Sequence, residues 1–326
     1  MKTTLEARTA PTLAPSQEAV YLGAAPDRVH AAPGRIRTDA HRRSSDFLAL
    51  TKPRLNLLVL ITTLGGLYLG APAGVPLWVL FHALVGTALV AGGAAALNQV
   101  WERDTDGLMR RTRLRPVPDG RLQPAEGTRF GLLLSAVGLI QLTLGVNLPA
   151  ALIAAVTLGS YILLYTPLKR RTWHSTLVGA FPGALPPVIG WAAATERIDL
   201  AALTLFGIVF FWQIPHFLAI AWLYREDYAR AGLPLLPVVE PDGRSTGRQA
   251  LLHAALLLPV SITPAFVGLA GPIYVVCAIL LGVLLIGLSV EFARDRSTSA
   301  ARRLFLASIS YLPLLWSVLV ADRLWF

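Results

Sequence analysis

Charged residues are scarce in this chain of 326 residues, at 15% against about 25% in a typical soluble domain. Cysteine is nearly absent: Cys277 stands alone in an apolar run, which excludes a disulfide framework or a thiolate metal site. Hydrophobic residues make up 54% of the chain, and the mean hydropathy is +0.57. The composition therefore excludes a soluble domain and predicts a polytopic membrane protein.

Long apolar runs alternate with polar loops along most of the chain. Nine of them approach the roughly 20 residues that a helix needs to cross the hydrocarbon core. They lie at about residues 48–70, 77–101, 128–147, 149–167, 175–195, 199–224, 250–270, 271–291 and 303–322. We therefore expect an all-α membrane domain over residues 48–326, in which nine transmembrane helices surround a central cavity.

Residues 1–47 precede the first apolar run and contain Pro, Ala and Arg without sustained periodicity. This composition predicts a disordered tail. The tail has no apolar segment before a cleavage site, so we do not expect a secretory signal. Its acidic residues argue against a transit peptide.

Basic residues are distributed unevenly between the two sides of the predicted bundle. Of 29 Lys and Arg residues, all but Arg197 and Arg323 lie in the N-terminal segment or at the loops after even-numbered helices. The positive-inside rule then places the N-terminal tail and four larger loops in the cytoplasm, with the helices in the inner (plasma) membrane. This distribution explains the net charge of +10 without a nucleic-acid partner.

Three oxygen-bearing side chains recur every four residues where the second predicted helix meets its loop. Asn98, Glu102 and Asp106 advance roughly 40° per step, so they share one stripe about 12 Å long. Such oxygens suit Mg²⁺, which also binds substrate phosphates. Asp104 points to the opposite side of an ideal helix and is expected to support these ligands without being one of them.

The same region holds six arginines, whose guanidinium groups suit phosphate. They are Arg103, Arg110, Arg111, Arg113, Arg115 and Arg121. Carboxylates for a metal beside cations for phosphate predict a diphosphate site at a membrane surface. The alternative is a solvated helix end at which acids and arginines simply pair.

A second acidic loop follows the sixth predicted helix. Glu226 and Asp227 occupy the position after the sixth helix that Glu102 and Asp106 occupy after the second. The two loops are therefore predicted to face each other across one cavity and clamp two metal ions. The alternative is a surface ion-pair cluster of these acids with nearby arginines.

The aromatic sixth helix is interrupted by Gln213, Pro215 and His216. By helical rise, His216 lies about 15 Å from Glu226, so we expect it deeper in the membrane than the metal. An intramembrane histidine is a functional candidate. A histidine bonded to a neighbouring helix is the alternative.

The fourth predicted helix ends in a compact positive cluster, Lys169, Arg170 and Arg171, which suits phosphate or simply anchors the helix. The next helix is rich in helix-breaking residues, namely Pro182, Pro186, Pro187, Gly179, Gly183 and Gly190. Broken helices at membrane depth are tolerated where they line protein or a cavity. The fifth helix is therefore predicted to form a cavity wall.

The segments NQVWERDTDGLMRRT, YTPLKRRT and WQIPHFLAIAW, with YREDY after the last, resemble signatures of the intramembrane UbiA-type prenyltransferase superfamily. Within it they are most similar to the protohaem IX farnesyltransferases, or haem O synthases, over about residues 47–322. The superfamily motif N-x-x-x-D-x-x-x-D appears here with Glu102 in place of the middle Asp. Tyr224 and Tyr228 stand where benzoate-type enzymes carry further acids, which leaves the ligands of a second metal open.

This resemblance implies transfer of a farnesyl group from farnesyl diphosphate to a vinyl group of haem B, with Mg²⁺ as cofactor. It also implies contact with the lipid bilayer and allows haem A synthase as a partner. We expect the metal on Asn98, Glu102, Asp106 and Asp227, with Lys169 as a further catalytic residue. The expected substrate-binding residues are Arg103, Arg110, Arg111, Arg170, Gln213, His216, Tyr224 and Arg225.

Several alternatives stay open at this point. His216 would orient the haem, ligate its iron or guide a water molecule. A related prenyltransferase would act on a quinone precursor or chlorophyllide. A transporter would also contain broken helices, but its polar residues would lie near the bilayer midplane.

Overall fold

The computed structural model describes residues 36–323 except residue 72. Within these residues, nine helices are long and apolar enough to span a membrane, as the sequence predicts. In chain order, these spans are Pro53–Gly70, Leu77–Trp101, Pro124–Gly145, Leu148–Leu168, Ser175–Thr195, Leu200–Leu223, Arg244–Phe266, Pro272–Asp295 and Thr298–Arg323. The all-α, multi-pass architecture is therefore confirmed.

Each span packs against the next one in sequence, and the ninth span also contacts the first. The spans thus form a closed ring. Short connections join them at one end, whereas the other end carries longer loops with short helices at Arg103–Leu108, Arg225–Arg230 and Leu236–Val239. We call the end with the longer loops the loop face.

Close helix packing in the ring depends on small residues. An added Cβ at Gly66 would lie 2.0 Å from the Pro187 carbonyl oxygen, and one at Gly190 would lie 1.8 Å from the Thr63 carbonyl oxygen. The first and fifth spans therefore approach each other at backbone contact. Small residues serve the same purpose in other membrane bundles, where apolar burial does not favour helix association.

Two spans depart from a regular α-helix. The fourth contains a π-helical segment, Ser160–Tyr165, and the fifth is divided into Ser175–Gly183 and Pro186–Thr195. The break in the fifth span was predicted from its prolines and glycines, whereas the π segment was not. Both irregular segments face the same interior space, as described below.

The N-terminal region differs in part from the expectation. Residues 1–35 of the predicted disordered tail lie outside the described residues. A helix covers Ile36–Leu50, which corrects the prediction of disorder for residues 36–47. The end of this helix packs on the bundle, because Leu50 is fully buried and its carbonyl accepts a hydrogen bond from Gln99 Nε2 at 2.7 Å.

Candidate active site

One cavity of about 490 Å³ lies inside the ring, lined by the first, second, fourth, fifth and sixth spans and by two segments of the loop face. The spans that form its walls include both irregular ones. Its lining is charged at the loop face and apolar further in. We call the following seven residues the charged end of the cavity: Lys52, Asn98, Glu102, Asp106, Arg111, Arg115 and Lys169.

The predicted stripe of Asn98, Glu102 and Asp106 is present and buried, with 2%, 4% and 1% of each residue exposed. The second span ends at Trp101, and a short helix begins at Arg103. The hydrogen bonds that repeat every four residues nevertheless continue, from Glu102 N to Asn98 O at 2.9 Å and from Asp106 N to Glu102 O at 2.8 Å. All three side chains therefore still reach one cavity.

Each carboxylate of the stripe is paired with a cation from another part of the chain. Lys169 Nζ lies 3.0 Å from both carboxylate oxygens of Glu102. Arg115 Nη1 donates to Asp106 Oδ2 at 2.6 Å, while the buried Oδ1 of Asp106 has no hydrogen-bond partner. A buried carboxylate oxygen without a partner is costly, and here it is a ready ligand for a cation.

Asn98 links the stripe to two other spans. Its side-chain oxygen accepts from Lys52 Nζ at 3.2 Å, and its Nδ2 donates to Thr166 Oγ1 at 3.2 Å. Lys52 immediately precedes the first span and has a φ of 50°, in the left-handed region that non-glycine residues seldom adopt. This turn aims the Lys52 side chain into the charged end.

Burial and neighbouring charge act against each other at these groups. Burial alone would raise the pKa of Glu102, but Lys169 and Lys52 hold it below its ordinary value, so the carboxylate stays ionised. Burial, with Arg115 nearby, lowers the pKa of Lys52 to about 8. Burial also opposes the charge of Lys169, yet Tyr165 and Glu102 raise the pKa of Lys169 above its ordinary value.

Arg111 reaches the cavity from the loop after the second span. Its Nη2 donates to the Tyr228 hydroxyl at 3.3 Å, and its guanidinium carbon lies 5.2 Å from the centre of the Tyr224 ring. Tyr228 lines the cavity and Tyr224 does not. The two acidic loops therefore meet at the cavity through an arginine and tyrosines, and the predicted clamp on two metal ions stays a prediction.

The acids of the second loop take up different positions from those expected. Glu226 is exposed, and Asp227 forms an ion pair with Arg230 and does not line the cavity. Within the described part of the chain, no group of three or more His, Cys, Asp or Glu side chains is placed to hold a metal ion. Asp227 as a metal ligand stays a prediction without support from this geometry.

Four other predicted substrate-binding residues lie outside the cavity lining. Arg103 donates to the Val100 carbonyl, and Arg170 donates to the Trp101 carbonyl at 3.0 Å. Arg225 stacks over Trp222 at 4.5 Å, and Arg110 is exposed. These arginines lie at the loop face outside the cavity lining, and their role in substrate binding stays a prediction.

The deeper wall is mostly apolar, with aromatic and amide groups at a few points. Tyr161 and Tyr165 of the π segment line it with ring centroids 5.3 Å apart. Gln213 and His216 line it from the sixth span, which stays helical through Pro215. Gln213 Nε2 donates to the Ala180 and Val209 carbonyls at 3.2 and 3.0 Å.

Lys52 and Arg115 were not among the site residues predicted from the sequence. Arg115 was recognised only as one of six arginines, and Lys52 only as one of many basic residues on one side of the membrane. Lys52 contacts Asn98, which is 46 positions away in sequence, and Arg115 contacts Asp106, which is nine positions away. The one signal in the sequence was that both residues are predicted to lie on the same side of the membrane as the stripe.

Related proteins match this chain over most of its length. A protoheme IX farnesyltransferase of Solibacter usitatus is 48% identical over 287 residues, which are 85% of this chain and 98% of the relative. Those of Koribacter versatilis and Myxococcus xanthus are 45% and 44% identical over 85% and 86% of this chain, and these matches cover 93% and 95% of the relatives.

Solved structures match the fold at low sequence identity. A digeranylgeranylglyceryl phosphate synthase gives a TM-score of 0.75 at 14% identity, covering 87% of this chain and all of that one. A UbiA homolog from Archaeoglobus fulgidus bound to GPP and Mg²⁺ gives 0.60 at 16% identity, covering 84% and 99%. The model of the UbiA prenyltransferase family matches residues 59–317. The chain belongs to the UbiA prenyltransferase family.

Proposed function

We propose that this protein transfers the farnesyl group of farnesyl diphosphate to a vinyl group of protohaem IX (haem B), giving haem O and diphosphate. One observation carries the proposal: the cavity has a charged end with surplus cations, and its deeper wall is apolar. A prenyl diphosphate has the same division, with an anionic head and an apolar tail. The relatives named above support haem as the acceptor.

The charged end is suited to a leaving diphosphate. When the allylic C–O bond breaks, its electron pair stays with the diphosphate, where negative charge grows. Lys52, Arg111, Arg115 and Lys169 are already held in place by hydrogen bonds, so they stabilise that charge without reorganising.

The residues of the stripe fit Mg²⁺. Asp106 offers a buried carboxylate oxygen without a hydrogen-bond partner, and Asn98 and Glu102 add oxygen atoms that line the same cavity. When bound, Mg²⁺ supplies positive charge opposite the diphosphate. The Mg²⁺ of the A. fulgidus homolog supports this assignment for the family fold.

The deeper wall is suited to the farnesyl chain and to the cation that forms on it. Val59, Ala94 and Ile189 are apolar lining residues, and Tyr161 and Tyr165 present aromatic rings. Aromatic faces attract cations, and an apolar wall keeps out the water that would quench an allylic cation. The vinyl group then supplies the electron pair of the new C–C bond, and water adds to the resulting carbocation with loss of a proton.

Orientation in the membrane is also part of the proposal. The excess of basic residues at the loop face favours a cytoplasmic position for the charged end. Farnesyl diphosphate, being anionic, would then enter from the cytoplasm of the cell.

An acceptor panel tests the proposed function. Purified protein in detergent is incubated with farnesyl diphosphate, Mg²⁺ and either haem B, 4-hydroxybenzoate or chlorophyllide, and products are identified by mass spectrometry. We expect haem O from haem B, no product from the other acceptors, and loss of haem O with EDTA. Farnesylation of 4-hydroxybenzoate or chlorophyllide in place of haem would contradict the proposal.

A further inference from the structure

His216 is held from behind by the ninth span, which does not itself line the cavity. Its Nδ1 lies 2.8 Å from the Ser308 hydroxyl oxygen. The ring stacks on Trp212, with centroids 5.0 Å apart, and on Phe305, with centroids 5.2 Å apart. The imidazole is therefore fixed in position by residues of two spans.

The hydrogen bonds of Ser308 determine which ring nitrogen of His216 carries the proton. The Ser308 hydroxyl donates to the Phe305 carbonyl at 2.7 Å, and a carbonyl can only accept. A hydroxyl has one proton, and with that proton directed at the Phe305 carbonyl its oxygen accepts from His216 Nδ1. In the neutral imidazole, Nδ1 is then protonated and Nε2 carries the lone pair.

Ser308 is itself held in place through its backbone. Trp212 Nε1 donates to the Ser308 carbonyl at 2.7 Å, so the residue that stacks on His216 also ties the sixth span to the ninth. This arrangement resists rotation of the imidazole and exchange of its two nitrogens. Outer hydrogen bonds of this kind fix the tautomer of histidines that bind metals.

Nε2 of His216 is available to a ligand in the cavity. No described residue makes a hydrogen bond to it, and His216 lines the cavity. His216 lies seven residues before the end of the sixth span, about 10 Å into the membrane by helical rise. A lone pair at this depth, beside apolar walls, suits a metal centre that arrives inside an apolar molecule better than a hydrated ion.

We propose that Ser308 is a positioning residue that keeps the proton of His216 on Nδ1, and that Nε2 thereby binds the iron of the haem acceptor. The identity of the ligand rests on the proposed function. The tautomer does not, because it follows from hydrogen bonds within the protein. His216 then holds the macrocycle, while the charged end holds the diphosphate.

The tautomer is tested without any ligand by ¹⁵N NMR of protein labelled at histidine. Protonated and unprotonated ring nitrogens have distinct ¹⁵N shifts, and the His216→Ala variant assigns the signals. We expect a single tautomer protonated at Nδ1, mixed tautomers in Ser308→Ala, and the original pattern in Ser308→Thr. Ser310→Ala is the matched control, because Ser310 is exposed on the same span and bonds only to the Leu306 carbonyl. A His216 signal unchanged in Ser308→Ala would overturn the positioning role.

Iron binding is tested by titrating haem B into the same variants and recording absorption and electron paramagnetic resonance spectra. We expect a nitrogen-ligand signature that His216→Ala abolishes, and haem affinity about 10- to 100-fold lower in Ser308→Ala. Ser308→Thr and Ser310→Ala should bind haem as the wild type does. A wild-type signature in His216→Ala, with haem O still formed, would overturn the inference and leave the proposed function intact. His216-dependent iron binding without haem O formation would instead sink the proposed function alone.

Discussion

Cations outnumber carboxylates at the charged end of the cavity. Glu102 and Asp106 face Lys52, Lys169 and Arg115, and Arg111 adds a further cation from the loop. Each carboxylate has one direct ionic partner, Lys169 or Arg115. The remaining positive charge is unneutralised by protein groups of the charged end, so it is available to an anionic substrate.

Arg115→Ala should lower kcat/KM for farnesyl diphosphate by about 10-fold or more, because it removes a cation and leaves the buried Asp106 without its partner. Arg115→Lys should restore part of the activity, since lysine keeps the positive charge but lacks the planar guanidinium group.

Arg113→Ala is the matched control for this substitution. Arg113 is two residues away and exposed, and it does not line the cavity. Its loss should leave kcat/KM near the wild-type value. Equal losses in both variants would mean that the loop needs only net positive charge and would contradict a specific role for Arg115.

Sequence spacing could predict residues that act along one helix, but not those that reach across the fold. Asn98, Glu102 and Asp106 share a cavity because their spacing matches the helical period. Lys52 meets Asn98 only because the first and second spans pack together. Asp227 forms an ion pair with Arg230, three residues further on, and its role as a metal ligand stays a prediction.

At the scale of the element, the broken fifth span packs closely against the sixth span at a small residue. An added Cβ at Gly183 would lie 2.1 Å from Gln213 Oε1, and Gln213 is fixed by two backbone carbonyls. The amide of Gln213 therefore has little freedom to move aside.

Gly183→Ala should destabilise the protein by about 1–3 kcal/mol, because overpacking forces side chains and backbone to shift. The measurement is the midpoint of thermal unfolding in detergent, followed by light scattering or tryptophan fluorescence. Gly287→Ala is the control, since a Cβ there meets no atom within 4 Å. A Gly183→Ala midpoint equal to that of the control would show that Gln213 is free to move.

The break in the fifth span could be predicted because proline removes a backbone donor and clashes with the preceding turn. The π segment at Ser160–Tyr165 could not. Its residues are ordinary in a helix, and the choice between α and π hydrogen bonding depends on what the segment packs against. The Thr166 hydroxyl, which donates to the Tyr161 carbonyl at 2.8 Å, is visible only in the fold.

At the scale of the whole molecule, the two ends of the ring differ in charge. The number and order of the spans could be read from apolar length, because a bilayer sets that length directly. The walls of the cavity could not be assigned in this way. Only five of the spans line it, and this depends on which helices pack inward.

Orientation is tested by cysteine labelling in a Cys277→Ser background. Arg113→Cys lies at the loop face and Ile198→Cys at the opposite end, and both positions are exposed. A membrane-impermeant maleimide should label Cys at position 198 from outside the cell. Position 113 should react only in inside-out vesicles. The reverse pattern would place the charged end outside and contradict the orientation.

The most direct test of the account compares two aspartates of one short helix. Asp106 is 1% exposed and lines the cavity, whereas the side chain of Asp104 is 67% exposed and pairs with Arg103. Haem O formation from haem B and farnesyl diphosphate is measured with Mg²⁺ for Asp106→Asn and Asp104→Asn. We predict a loss of about 100-fold or more for Asp106→Asn and near wild-type activity for Asp104→Asn. Activity retained in Asp106→Asn would contradict the assignment of this cavity as the site of farnesyl transfer.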